Sequence, residues 1–184
     1  MEIEDDFLDQ TDLIKLQSLM MSKNQQFPWY YNDGIDYGVM DSEGVMQYPA
    51  KEEKNKFQFT HMIYQEGAPC SSTIKILTPI LNKIKPFSIA RIKANLLTRT
   101  QNNVENTFHV DMGGLPEEKL KQWITSIFYV NTNNGYTKFQ DGTKVESVEN
   151  RMVTFQANMK HTGVSCTDEK TRVVINFNYY TSHE

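Results

Sequence analysis

The chain has 184 residues, of which 39% are hydrophobic and 23% charged, and a net charge of −4 at pH 7. We expect residues 1–184 to form a single folded domain, because disorder over the whole chain does not fit this composition. The sequence contains no Lys/Arg-rich run, which argues against a nucleic-acid partner. It also lacks a long apolar stretch, an apolar leader and a Cys-rich framework, so we expect a cytoplasmic protein.

The N-terminal part of the sequence predicts helix and loop. Residues 1–8 are acidic and are expected to form a frayed tail. Leucines and methionine at helical spacing predict a helix over 12–22, with Thr11 as its N-cap. The segment 27–50 is rich in aromatic and turn residues and indicates either an edge strand pair or a mobile flap.

A second helical pattern is followed by a run of strands. The helix covers about 72–85, and either kinks at Pro79 or starts late with Thr78 as its N-cap. Alternating patterns separated by turn residues predict strands at 87–97, 108–112, 124–131, 151–156 and 171–180. Helices followed by short strands predict an α+β, mainly β fold, a barrel or sandwich of antiparallel strands packed against helices.

A His-x-Asp motif lies on one of the predicted strands. Because strand side chains alternate, His109 and Asp111 point to the same face. His161 follows later, at the start of a strand or the end of a loop. Two imidazoles and one carboxylate are the facial triad of non-haem Fe(II) oxygenases, which leaves coordination positions open. A surface ion pair of His109 with Asp111 and a loop position for His161 are the alternatives.

Arg172 opens the last predicted strand. A guanidinium buried in a small barrel needs an anion, and a dicarboxylic acid chelated to a metal at one end would offer a carboxylate at the other. The alternative is a solvated strand end in which Arg172 pairs with Asp168 or Glu169.

Taken in order, five sequence features resemble a known family: His-Val-Asp at 109–111, TSIFYVN at 125–131, GYTKF at 135–139, His161 and Arg172. They are similar to the Fe(II)- and 2-oxoglutarate-dependent dioxygenases of the prolyl-hydroxylase branch, and the length is similar to compact microbial or phage-encoded members. The resemblance implies a double-stranded β-helix, or jelly roll, with supporting N-terminal helices and a core over 86–180. A phage-type member would act in the cytoplasm of the infected host cell.

The resemblance also implies roles for individual residues. His109, Asp111 and His161 would hold Fe(II), while Arg172 and Tyr129 would bind the distal carboxylate of 2-oxoglutarate. Tyr129 as a core residue bonded elsewhere is the alternative. The implied reaction hydroxylates a substrate while 2-oxoglutarate and O₂ become succinate and CO₂. The substrate is a peptide or small molecule, with a peptidyl prolyl group favoured, and the oligomeric state stays open.

Four further residues are candidates for the substrate pocket. Arg91 and Asn95 share one face of the strand before the metal motif, although a solvated face explains them equally well. Trp29 and Tyr31 would form a lid or stacking platform, or else belong to a segment packed on the core. Two other functions remain: a cupin-like metal enzyme that is not an oxygenase, and a jelly-roll binding module without activity.

Overall fold

The computed structural model describes residues 1–21, 27–35, 39–40, 46–47 and 56–181, and only the backbone of 39–40 and 46–47. The helices are α1 (Gln10–Met21), α2 (Thr78–Ile84) and α3 (Glu117–Leu120), with a 3₁₀ segment (Ser72–Leu77) before α2. The strands are β1 (Glu2–Glu4), β2 (Tyr30–Asn32), β3 (Val39–Met40), β4 (Met46–Gln47), β5 (Gln58–Gln65), β6 (Ala68–Pro69), β7 (Ser88–Thr98), β8 (Ile124–Tyr129), β9 (Tyr136–Phe139), β10 (Lys144–Glu146), β11 (Arg151–Gln156), β12 (His161–Val164) and β13 (Thr171–Tyr180).

The strands form two antiparallel sheets and a short hairpin. The main sheet has the order β1-β11-β8-β13-β7-β5-β2, with β6 beside β5. The minor sheet has the order β10-β9-β12, and β3 pairs with β4. The expected α+β, mainly β architecture is therefore confirmed. No helix in the described ranges has the length and apolar composition that crossing a membrane requires.

The central strands of the main sheet bury both of their faces. Along β13, alternate residues enter the hydrophobic core beneath the helices: Val173, Ile175, Phe177 and Tyr179. The residues between them face the minor sheet: Arg172, Val174, Asn176 and Asn178. Since side chains alternate across a strand, this pattern places the polar residues of β13 in the space between the two sheets.

Helix α1 covers the outer face of the main sheet through one apolar stripe. Leu13, Leu16 and Met20 are buried at helical spacing. The helix begins at Gln10, and the Asp9 carboxylate accepts a hydrogen bond from the backbone N–H of Asp12 at 3.0 Å. The expected N-cap at Thr11 is thus wrong, because the N-cap is Asp9, whose negative charge also suits a helix N-terminus.

The first eight residues are ordered, contrary to the expectation of a frayed tail. Strand β1 pairs with β11, and Phe7 and Leu8 are only 4% and 5% exposed. The Asn150 side chain donates to the Leu8 carbonyl and accepts from the Leu8 N–H, both at 2.8 Å. The apolar pair at the end of an acidic segment therefore anchors it to the core.

The second helix starts late, as one of the two alternatives expected. Residues Ser72–Leu77 are 3₁₀, and α2 follows with Pro79 in its first turn. Thr78 is not the N-cap, however. It is the first residue of α2, and its hydroxyl donates back to the Lys75 carbonyl at 2.8 Å.

The predicted strands at 151–156 and 171–180 match β11 and β13. Residues 108–112 form no strand, and only a single bridge joins His109 to His161. Strands β9 and β10 were missed, because each is only a few residues long. In the segment 27–50, β2 lies at the edge of the main sheet, but most of the expected flap lies outside the described residues.

Candidate metal centre

Three candidate metal ligands converge at one end of the space between the sheets. The backbones of His109 and His161 exchange two N–H···O=C hydrogen bonds of 3.0 Å, which sets the two imidazoles side by side. Asp111 follows His109 by two residues. Its oxygens lie 3.9 Å from His109 Nε2 and 4.0 Å from His161 Nε2. One ligand atom from each of the three residues lies within 4.8 Å of the others.

Backbone carbonyls set the orientation of both imidazoles. His109 Nδ1 lies 3.0 Å from the Thr107 carbonyl, and His161 Nδ1 lies 3.1 Å from the Met159 carbonyl. A carbonyl only accepts, so each Nδ1 carries a proton, and in the neutral form of the ring Nε2 is the nitrogen with the lone pair. This second contact is typical of metal-binding histidines.

The protonation states of the three residues suit a divalent cation. Burial lowers the pKa of His161, which is 3% exposed, so its imidazole is neutral. Burial alone would raise the pKa of Asp111, but His161, Arg91 and His109 outweigh it and hold that pKa below its usual range. Two imidazoles and one carboxylate fit the donor set of a non-haem Fe(II) site.

Asp111 is also held from behind by polar residues of the main sheet. Arg91 Nη2 lies 3.0 Å from Asp111 Oδ1 in an ion pair. Asn176 and Asn178 of β13 donate to Asp111 Oδ2 at 3.1 and 3.2 Å. The carboxylate is therefore fixed in place before any metal binds.

A cavity of about 60 Å³ runs from the three candidate ligands along the space between the sheets. The main sheet contributes Lys93, Asn95, Val174 and Asn176, and the minor sheet contributes Thr137 and Gly163. Arg172 also lines this cavity, four residues before Asn176 on β13, which corresponds to about 13 Å along a strand. The same cavity is therefore lined by the three candidate metal ligands and by Arg172.

Arg172 is a buried cation, so the expected alternative of a solvated strand end does not apply. The residue is 3% exposed; its Nε donates to Ser147 Oγ at 2.9 Å and its Nη2 to Thr137 Oγ1 at 3.0 Å. Within the described part of the chain no carboxylate pairs with this guanidinium. A buried charge without a counter-ion among the described residues points to an anionic ligand.

Tyr129 lies behind the cavity instead of lining it. Its buried hydroxyl donates to Thr137 Oγ1 at 2.7 Å, and the Arg172 guanidinium lies 5.6 Å from its ring centre. Thr137, which the sequence analysis did not single out, takes its place in the cavity wall. The only sequence signal for Thr137 was its position in GYTKF.

Gly135 makes room for Arg172. A Cβ at this position would lie 2.7 Å from the Val164 carbonyl oxygen and 2.8 Å from Arg172 Cδ. Any larger residue would push the guanidinium stem or β12 away, so glycine is required here for close approach.

The four candidate pocket residues fall into different places. Asn95 lines the cavity, whereas Arg91 stands behind Asp111. Trp29 packs against the core, with its indole N–H 3.3 Å from the Met20 carbonyl. Tyr31 is 61% exposed and contacts Phe57 and Phe59 at the sheet edge. Arg91, Trp29 and Tyr31 do not line this cavity, and a role for them in substrate binding stays a prediction.

Several residues around the candidate site were missed by sequence reasoning. Asn176 and Asn178 share the face of Arg172 by alternation, which was the signal that could have found them. Lys93 sits between Arg91 and Asn95 on the same face of β7, and burial lowers its pKa to about 8. What the pattern alone could not supply was the partner of each side chain.

Neither a protein-family model nor a curated protein sequence matches this chain. Several solved structures, however, are similar to it in fold. A prolyl hydroxylase from Trichoplax adhaerens, in complex with a hypoxia inducible factor peptide fragment, has a TM-score of 0.62 and 11% identity over 97% of this chain and 82% of its own. The viral collagen prolyl hydroxylase of Paramecium Bursaria Chlorella virus-1, in a 2-oxoglutarate complex, has a TM-score of 0.56 and 11% identity over 98% and 96%.

A further similar structure is HygX from Streptomyces hygroscopicus, with nickel, 2-oxoglutarate and hygromycin B bound. It has a TM-score of 0.60 and 7% identity over 98% of this chain and 82% of its own. At such low identity the likeness establishes the fold, which is the jelly roll of the 2-oxoglutarate oxygenases. The expected double-stranded β-helix is therefore confirmed.

Proposed function

We propose that this protein is an Fe(II)- and 2-oxoglutarate-dependent dioxygenase, with His109, Asp111 and His161 as metal ligands and Arg172 as the anchor of the distal carboxylate. The bound metal would supply the redox chemistry by which O₂ oxidises a substrate C–H bond while 2-oxoglutarate becomes succinate and CO₂. We further propose one catalytic domain over 1–184, since strands from β1 to β13 share the main sheet.

A single observation carries the proposal: the three candidate ligands and a buried Arg172 line the same cavity. A 2-oxo acid has a chelating end and a distal carboxylate, and this cavity offers a site for each. Thr137 supports the distal end. Its Oγ1 accepts from both Tyr129 and Arg172, so its own proton can be donated to a carboxylate.

The chain's residues have distinct tasks in this reaction. His109, Asp111 and His161 set which positions of the metal stay open. Arg172 and Thr137 orient the acid, and the rings of Phe139 and Phe155 beside His161 keep water from one side of the metal ligands. The His109 side chain is 37% exposed, so substrate approaches from its side.

The prime substrate is proposed as a peptide or small molecule, with a peptidyl prolyl group favoured through the resemblance to prolyl hydroxylases. The similar structures support both kinds, since one holds a peptide and another holds hygromycin B. A cupin-like enzyme or a binding module without activity would have no use for the buried Arg172 without an acidic partner among the described residues.

Ligand-induced stabilisation tests this proposal. With Mn(II) present, 2-oxoglutarate at 100 times its Kd should raise the free energy of unfolding by about 2.7 kcal/mol. Asp111→Ala should abolish the increase. A wild-type protein that binds metal but gains no stability from 2-oxoglutarate would favour the cupin-like or the binding-module alternative.

A further inference from the structure

The two carboxylate oxygens of Asp111 are held unequally. Oδ2 accepts hydrogen bonds from the side-chain amides of Asn176, at 3.1 Å, and Asn178, at 3.2 Å. Oδ1 has one close neighbour, Arg91 Nη2 at 3.0 Å. Each carboxylate oxygen offers about two lone-pair sites. Both sites of Oδ2 are therefore taken, whereas Oδ1 keeps one.

We propose that Asn176 and Asn178 are positioning residues that make Asp111 bind its metal through Oδ1 alone. This inference rests on the proposed function. A carboxylate can bind a metal through one oxygen or through both. A second bond from Oδ2 would occupy a coordination position that the 2-oxo acid or O₂ needs. The two amides thus keep the open face of the triad open.

Both amides have only one possible orientation. Asn178 Oδ1 accepts from Arg91 Nε at 3.0 Å, and its Nδ2 also donates to Thr125 Oγ1 at 3.0 Å. Asn176 must turn its Nδ2 towards Asp111. In the flipped orientation its amide oxygen would face the carboxylate, and two acceptors cannot form a hydrogen bond. Neither residue can flip to release Oδ2 without losing a hydrogen bond.

Strand geometry explains why the two donors converge. Asn176 and Asn178 are two residues apart on β13, so both project into the space between the sheets. In the neighbouring strand β8 they lie opposite Ile127 and Thr125. The two side-chain amides are therefore adjacent donors on a central strand, whose backbone is hydrogen-bonded to a neighbouring strand on each side.

Asn176 is the better position for a test. Its Oδ1 is buried without a hydrogen-bond partner, and the residue is 7% exposed at the cavity wall. Asn176→Leu keeps the branched shape, loses one hydrogen bond and removes an unpaired acceptor, so the fold should survive. Asn178→Leu would leave Arg91 Nε and Thr125 without their partner and is less suitable.

The experiment uses full-length protein loaded with Mn(II), without acid, and measures metal affinity and the number of metal-bound waters by water-proton relaxation. Freeing Oδ2 in Asn176→Leu should raise the Mn(II) affinity severalfold and reduce the bound waters by about one third, from three open positions to two. Addition of 2-oxoglutarate should then show an affinity at least tenfold weaker than in the wild type.

Two controls separate this effect from a lost contact with the acid. Asn95→Leu makes the same change in the same cavity, away from Asp111, and should leave the Mn(II) affinity and water count unchanged. Arg91→Met removes the neighbour of Oδ1 and should leave the water count unchanged, because Oδ2 stays blocked.

An unchanged water count and Mn(II) affinity in Asn176→Leu would overturn the inference, even if 2-oxoglutarate bound less well. If Asn176→Leu does not fold, Asn176→Ser tests the same freed lone pair. Failure of the wild-type protein to bind Mn(II) would instead contradict the proposed function, so the two failures are distinguishable.

Discussion

The Tyr129 hydroxyl donates to Thr137 Oγ1 at 2.7 Å, and Thr137 also accepts from Arg172 at 3.0 Å. The three side chains form one hydrogen-bonded unit at the distal end of the cavity, and only Thr137 and Arg172 reach its wall. Under the proposed function, Tyr129 would therefore act on a bound 2-oxo acid only through its two neighbours. Burial raises the pKa of Tyr129, so the phenol stays protonated and remains a donor.

This arrangement predicts the relative effects of two conservative substitutions. Thr137→Val should weaken 2-oxoglutarate binding about tenfold, because it removes a hydrogen bond to a charged group. Tyr129→Phe should cost only about threefold, since it removes support and not a direct contact. Calorimetric titration of the Mn(II)-loaded variants measures both. A larger loss of 2-oxoglutarate affinity in Tyr129→Phe than in Thr137→Val would indicate that the tyrosine contacts the carboxylate directly.

Arg172→Leu should lower the affinity for 2-oxoglutarate about 100-fold, since charge-assisted hydrogen bonds are the strong ones. The Mn(II) affinity should change less than threefold, because Arg172 does not contact the candidate ligands. Arg151→Leu is the matched control, as Arg151 pairs with Asp5 at the surface away from the cavity. Equal 2-oxoglutarate affinities of the two variants would mean that a residue other than Arg172 binds the distal carboxylate.

Gly135→Ala should lower the free energy of unfolding by about 2 kcal/mol, because the added methyl group overlaps the Val164 carbonyl and the Arg172 stem. Gly113→Ala provides the control, since a Cβ there meets no atom within 4 Å. Denaturant unfolding of both variants gives the comparison. Identical stabilities would mean that β12 yields to the methyl group at no cost.

Because Lys93 is buried, we expect the stability of the metal-free protein to depend on pH. Burial lowers its pKa from 10.5 to about 8, so the unfolded chain binds the proton more tightly than the folded one. Stability should therefore rise with pH between about 8 and 10.5, by up to about 3 kcal/mol, and this rise should vanish in Lys93→Met. Urea unfolding of the wild type and of Lys93→Met across this pH range tests the prediction. Parallel pH profiles would show that Lys93 keeps its ordinary pKa.

Asp111, a candidate metal ligand, is also expected to contribute to the stability of the fold. Its lowered pKa means that its ion pair with Arg91 stabilises the fold above the unfolded-state pKa of about 3.9, and that this contribution is lost as the pH falls. Asp111→Ala should destabilise the metal-free protein at pH 7 by about 3 kcal/mol, because Arg91 and two amides lose their partner. An unfolding curve as stable as that of wild type would contradict this role.

Local patterns predicted the strands that alternate over many residues. β11 and β13 are long, alternating and bounded by turns, so their limits followed from the sequence. Residues 108–112 alternate equally well but form no strand, because only His109 finds a backbone partner, in His161. Alternation describes the faces of a segment, while strand formation also depends on which neighbour pairs with it.

The candidate site was predictable as a set of residue types but not as a network. The spacing of His109, Asp111, His161 and Arg172 indicated chemistry that needs all four. Asn176 and Asn178 lie more than 60 residues after Asp111 in the sequence, so their contacts with it depend on how β13 is placed in the main sheet. Buried Phe7 and Leu8 likewise depend on Asn150, far along the chain.

An anaerobic titration of the purified protein, first with Fe(II) and then with 2-oxoglutarate, tests the proposed site most directly. A visible charge-transfer band should appear only when both are present, saturate at one equivalent of each, and disappear in Asp111→Ala. Iron that binds to the wild-type protein without producing this band on addition of 2-oxoglutarate would contradict the proposed dioxygenase.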